Sequence, residues 1–368
     1  MAGPSKSNPP VDFKALPKIE LHAHLTGSIS PQCLHEVWLK KKESGETDLQ
    51  DPLTEMGPGK TFDLKTFFPL FSSYTYHLVN DASSVTYTTL SVLRDFAADG
   101  VIYLELRTTP RAMPDAGMTK EDYVRTVLNA IAQFEAETAS SLGPGMHTRL
   151  ILSIDRRNTL PTALEVVALA SLFPPHPPTS PGGGRGGIVA LDLCGDPAST
   201  AGLPSLAGAF AAARASLPRL GLTLHFAEAE CSGTEAELAL LLGWQPDRLG
   251  HVIWVGEGAR ERIVAVGREG RRLGLELCLS CNVIAGMVDG GYAEHHFGEW
   301  LKVDEVVVVL CTDDVGVFGS PLSNEYALAA EHFGLGRSEI CALARKGIDV
   351  IFGGDEEKAR LREIMWVI

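Results

Sequence analysis

The chain has 368 residues, 45% hydrophobic and 21% charged, the balance of a folded globular protein and too apolar for general disorder. A net charge of -14 repels phosphate backbones, which argues against a nucleic-acid partner but leaves room for one small anion held by local arginines. Length permits two domains, but a large barrel reaches this size as one, so the expected organisation is a disordered arm over 1–15 and a single domain over 16–368.

The opening MAGPSKSNPP carries no apolar segment of a secretory signal, and no stretch approaches about 18 uncharged apolar residues. A cytoplasmic, monomeric protein without membrane contact is expected. The first strand is read at 18–25 (KIELHAHL). A long excursion over 26–100 follows, with a charged loop at 40–60 and the aromatic stretch FDLKTFFPLFSSYTYHL at 62–78. It reads as a helical, lid-like insertion, from which Phe67 and Phe71 either line a pocket or pack as helix core. Seven further strands are read at 101–107, 149–155, 188–194, 220–226, 249–255, 274–280 and 305–311. Amphipathic stretches such as 121–139, 203–217 and 234–243 lie between them, and several strands are almost wholly apolar, as in a parallel sheet covered on both faces. The segment 174–187 (PPHPPTSPGGGRGG) cannot pack and reads as a flexible surface loop. It is no phosphate loop, because it lacks the G-K-[ST] ending and follows prolines instead of a strand. The seven cysteines sit mostly in apolar runs and read as buried small hydrophobes; Cys278 and Cys281 have C-x-x-C spacing, but no second pair follows.

The polar residues choose between a barrel and an open sheet. His22 and His24, Glu105 and Arg107, Asp155 and Arg156, Gly195 and Asp196, His225 and Glu228, His251, Ser280 and Asn282, and Asp313 and Asp314 all fall in or just after the C-terminal half of a predicted strand. In a closed barrel those ends converge on one mouth, whereas an open sheet gathers chemistry at one switch point. The fold class is therefore α/β, a (β/α)₈ TIM barrel with extra helices inserted after strand one.

His22 and His24 are two apart in a strand, so both imidazoles point to one side. His225 ends the fifth strand, and Asp313 follows the run VVVVLCT, where a carboxylate is costly to bury unless paired or coordinated. Three histidines and one aspartate make an N₃O set suited to one Zn²⁺ per chain with room for a water. Such an ion would bring the pKa of that water towards neutrality.

The chain resembles the adenosine deaminase family, most closely its adenosine deaminase-like branch, whose members act on N6-methyl-AMP. The resemblance runs from Pro17 through PKIELHAHLTGSIS (17–30), YLELRTTPR (103–111), LDLCGDP (191–197), HFAEAE (225–230), LGHVI (249–253), LELCLSCN (275–282) and CTDDVGVFGSPLSNEY (311–326). It implies that His22, His24, His225 and Asp313 hold zinc, that Glu228 protonates purine N1, and that His251 orients the attacking water. It also implies that Asp314 hydrogen-bonds N7 and that the Gly195 backbone N–H reaches N3. Physically, addition of hydroxide at C6 pushes electrons onto N1, which needs a proton donor there.

Three departures stand out. Deaminases of free adenosine carry an acidic residue after H-x-H-L, and the phosphate-accepting branch an asparagine; this chain has Thr26. Where the family has glycine after the strand-six histidine, the chain has Val252, and its usual His-Pro pair is His295-His296. Neutral Thr26 removes the charge that would repel a 5′-phosphate. Arg111, just beyond the second strand, either reaches that phosphate or joins Arg107 in pairing with carboxylates such as Glu105 to brace the rim. The expected activity is hydrolysis of N6-methyl-AMP to IMP and methylamine, with a purine nucleotide or nucleoside as the small-molecule partner. The alternatives are an adenosine deaminase, an adenine deaminase, and a catalytically inactive barrel serving as an interaction protein. Cysteine-ligated nucleic-acid deaminases carry P-C-x-x-C, which is absent.

Overall fold

A computed structural model describes residues 11–57, 60, 62–139, 145–175 and 187–367. Residues 1–10 of the expected arm and 176–186 of the Pro/Gly loop lie outside them. Eight strands follow one another in chain order around one sheet: β1 Lys18–His24, β2 Val101–Thr108, β3 His147–Asp155, β4 Ile188–Cys194, β5 Gly221–Phe226, β6 Arg248–His251, β7 Leu273–Leu277 and β8 Val306–Leu310. Each pairs with the next in parallel. The sheet closes just past the end of β8. There Asp313 N–H donates to His22 O at 2.8 Å and His24 N–H donates to Asp313 O at 3.0 Å. Glu20 braces this seam by accepting from the Thr312 backbone and hydroxyl at 3.0 and 2.9 Å.

Strand alternation sorts the side chains. Ile19, Leu21 and Ala23 of β1 and Ile102, Leu104 and Leu106 of β2 are buried apolar residues of the main core. The other parity is polar and spans the barrel. Arg107 of β2 meets Asp192 of β4 at 3.2 Å and Glu276 of β7 at 2.8 Å, while Arg248 of β6 meets Glu105 of β2 and Glu276, each at 2.6 Å. Contacts between non-neighbouring strands cross the interior, so charge fills this barrel where bulky aliphatics are usual. These pairs correct one expectation. Glu105 partners Arg248 and the Tyr103 hydroxyl, not Arg107 or Arg111, because its parity turns it inward below the rim.

Two strands end earlier than the sequence pattern predicts. The apolar run after His251 does not extend β6, because His251 and Val252 adopt φ of +65° and +49° and turn the chain at the mouth. β7 stops at Leu277, and Leu279–Ile284 is a helix although its residues suit a strand. Between β1 and β2 lie helices at Pro31–Glu43, Leu64–Leu70 and Ala82–Ala98 with shorter turns between them. Ser30 caps the first, and Asp63 with Thr66 forms a capping box on the second. Pro69 removes a donor inside Leu64–Leu70, and the chain widens into a π turn at Phe71–Thr75, where the Ser73 hydroxyl donates to Pro69 O at 2.7 Å. No helix of the described residues is long and apolar enough to cross a membrane.

Candidate metal centre and pocket

β1, β5 and the turn after β8 bring four side chains to one point at the mouth. His24 Nε2 and His22 Nε2 lie 3.1 and 3.2 Å from His225 Nε2. Asp313 Oδ1 lies 3.3 Å from His24 Nε2 and 3.4 Å from His22 Nε2. The opposite face of each inner imidazole is already engaged. His22 Nδ1 donates to Glu276 at 2.8 Å, and His225 Nδ1 donates to Leu193 O at 2.8 Å beside Asp192 at 3.1 Å. Those bonds turn the Nε2 lone pairs of His22 and His225 towards each other, a repulsive arrangement that a shared cation relieves. Donor atoms about 2.0–2.2 Å from a tetrahedral ion are separated by roughly 3.3–3.6 Å, so the edges found here fit such an ion. Gly250 contributes by omission, since a Cβ there would stand 2.7 Å from His22 Cε1. The C-x-x-C cysteines are close by: Cys281 donates to Asp313 Oδ2 at 2.9 Å, and Cys278 with His251 and Asp313 forms a second group able to bind metal.

Beside this cluster sit groups with no hydrogen-bond partner among the described residues: Glu228 Oε2, His251 Nε2 and Asp314 Oδ1, all buried. Burial pushes the Glu228 carboxyl up to about 7. Burial, then the charge of Asp313, pushes Asp314 well above the usual carboxylate range. Burial opposes ionisation of Asp313, yet its histidine neighbours hold it well below that range. Burial also keeps the His24 and His251 imidazoles well below theirs. Asp314 fits only because residue 27 is glycine, as a Cβ there would overlap its carboxyl.

The pocket in front of these groups is lined by His24, Thr26, Phe67, Phe71, Arg111, Gly195, His225, Glu228, Asp313 and Asp314. His251 stands behind that lining, its Nε2 3.9 Å from both Glu228 and Asp313. Phe67 serves as wall and core together, since it lines the pocket and stacks on Phe318 at 5.4 Å. Gly195 has φ +98°, and a Cβ there would meet the Asp155 carboxylate at 2.8 Å. Arg111 makes no ion pair among the described residues. It stacks on the Tyr76 ring at 3.9 Å, donates to Val79 O at 3.1 Å and leaves its Nε unpartnered.

Sequence reasoning missed Tyr76, Ser72, Thr109 and Arg157, which also line the pocket, and the supporting carboxylates Asp192 and Glu276. The carboxylates left a signal: one acid inside the apolar strands IVALDLC and LGLEL. The loop residues left none.

Fold and site together define a metal-dependent barrel hydrolase. The sequence model of the adenosine deaminase family matches residues 17–366, and the chain belongs to that family. It is 36% identical over 353 residues to the N6-methyl-AMP deaminase of Homo sapiens, covering 95% of this chain and 93% of the relative. The N6-methyl-AMP deaminase-L of Xenopus laevis is 37% identical over 356 residues, covering 97% and 94%. The crystal structure of Arabidopsis ADAL complexed with IMP superposes with a TM-score of 0.82 at 33% identity, covering 96% of each chain.

Proposed function

We propose that this chain is a zinc-dependent hydrolytic deaminase of 6-amino- and 6-alkylaminopurine nucleotides, taking N6-methyl-AMP and water to IMP and methylamine. His22, His24, His225 and Asp313 would hold the ion, whose role when bound is Lewis acidity that acidifies water and offsets charge developing on oxygen. The purine would lie against Phe67 and Phe71, with Gly195 at its N3 edge. Glu228, whose carboxyl burial raises to about 7, donates to N1 as the water oxygen adds at C6. Asp314 keeps its proton and can donate to N7, which only accepts. Of the two protons the water brings, one passes to N6 as the C6–N6 bond breaks and the amine departs, the other restores the Glu228 carboxyl, and N1 keeps the proton it received, as the 6-oxopurine requires. The helices between residues 26 and 100, which carry Phe67 and Phe71, act as the lid over this pocket.

The observation that carries the nucleotide reading is Arg111: at the wall of a pocket that neutral Thr26 also lines, and without a carboxylate partner among the described residues. A guanidinium so placed suits a phosphate. That two of the relatives above are N6-methyl-AMP deaminases supports the same substrate. The test compares kcat/KM for N6-methyl-AMP, AMP, N6-methyladenosine and adenosine at fixed ionic strength. The nucleotides are expected to win; equal or higher values for the nucleosides would overturn the assignment in favour of an adenosine deaminase.

A further inference from the structure

His295 and His296 line no part of the pocket, yet both serve His251. His296 Nε2 donates to the His251 carbonyl at 2.6 Å, holding the main chain where φ is +65°, and the His296 ring stacks on that of His295 at 4.1 Å. His295 reaches the His251 ring through Asn282, and proton positions along that path follow from one donor whose identity is not open. The Phe297 backbone N–H donates to His295 Nδ1 at 3.0 Å. Burial pushes His295 down to about 2, so its ring is neutral and carries its proton on Nε2. Nε2–H donates to Asn282 Oδ1 at 3.2 Å, which directs the amide. Asn282 Nδ2 therefore faces His251 Nδ1 and donates to it at 3.0 Å. His251 Nδ1 accepts, so the proton of the neutral ring sits on Nε2, the atom turned towards Glu228 and Asp313. With the amide reversed, the path would also be consistent internally, except at its end. His295 Nδ1–H would then confront the Phe297 N–H, two donors 3.0 Å apart.

We propose that His295 is a positioning residue which, through Asn282, holds His251 as its Nε2–H tautomer, so that His251 gives the reacting oxygen a hydrogen-bond donor and not a base. The role at the oxygen rests on the deaminase reading; the tautomer does not. An Asn282→Asp carboxylate only accepts, and so selects Nδ1–H on His251. His295→Leu frees the amide to reverse, whereas His295→Gln keeps an N–H towards Asn282.

The test records two-bond proton–nitrogen correlations of the zinc-loaded, ¹⁵N-histidine-labelled protein, with His251 assigned by its loss in His251→Asn. The native protein is expected to show Nε2–H, and Asn282→Asp and His295→Leu to move the proton to Nδ1 with zinc content unchanged. In kinetics, kcat is expected to fall at least ~10-fold in Asn282→Asp with KM within about 2-fold, and His295→Gln to restore most of what His295→Leu loses. Nδ1–H in the native protein, or Nε2–H retained in both variants, overturns the proposal. So does a proton that moves while kcat does not. Should His295→Leu fail to fold, the native and Asn282→Asp spectra decide. A native Nε2–H spectrum in a chain inactive on every purine would uphold the tautomer and defeat the deaminase reading.

Discussion

Below the mouth, the carboxylates Glu105, Asp192 and Glu276 each meet an arginine across the barrel. At the mouth, Glu228 and Asp314 are equally buried but meet no cation, and each keeps an oxygen without a hydrogen-bond partner among the described residues. The difference shows in their acidity. Arginines hold the Glu276 carboxyl well below the usual range against the opposing effect of burial, whereas burial raises Glu228 to about 7. Paired charges are finished structure, because each loses more on breaking than it can gain elsewhere. Unpaired ones are poised to exchange a proton or take a ligand.

The contrast predicts different losses in the two regions. His24→Ala, or chelation of the native enzyme, should lower turnover at least ~10³-fold, since several kcal/mol of transition-state stabilisation go with the ion. Elemental analysis should find near one zinc per chain before chelation. In the interior, Arg248→Met leaves Glu105 and Glu276 without this partner and should cost about 3–5 kcal/mol of folding stability, read by denaturant unfolding. If Arg248→Met lost activity while unfolding like the native protein, the division into two regions would fail.

Glu228→Gln should lower kcat by at least ~10²-fold with zinc and stability retained. The native pH profile adds a sign: the acid must be protonated, so kcat/KM is full below the raised pKa and falls as pH passes through about 7. A metal ion held nearby would shift this limb downwards, and Glu228→Gln should erase it. Arg111→Gln should lower kcat/KM for the nucleotides by about 10–10²-fold, the size of a hydrogen bond to a charged group, and leave the nucleosides within about 2-fold. Thr26→Asp should produce a smaller change in the same ratio. An unchanged preference there would mean that position 26 does not discriminate.

Much of this molecule was legible along the chain. Strand parity placed His22 and His24 together, and the recurrence of polar residues at eight strand ends implied a mouth; family membership was readable from the ordered motifs. Val252 shows where that reading thinned. Its left-handed φ explains why relatives with glycine there would be less strained, but a β-branched residue gives no local hint of such a turn. The early end of β7 was hidden for the same reason, because LCLSCN suits a strand and only the mouth requires it to coil.

By itself the sequence determined the order of the elements, the side of each strand that carries chemistry, and the set of groups able to bind metal or move a proton. Alternation and donor type are local properties, settled within a few residues. Only the tertiary structure decided which groups meet. His22 finds Glu276 across 254 positions of chain, Arg107 spans from β2 to β7, and His295 reaches His251 through Asn282. Such pairings depend on how closure and register bring distant strands to the same height, and on which buried donor still lacks an acceptor. No window of residues contains that information.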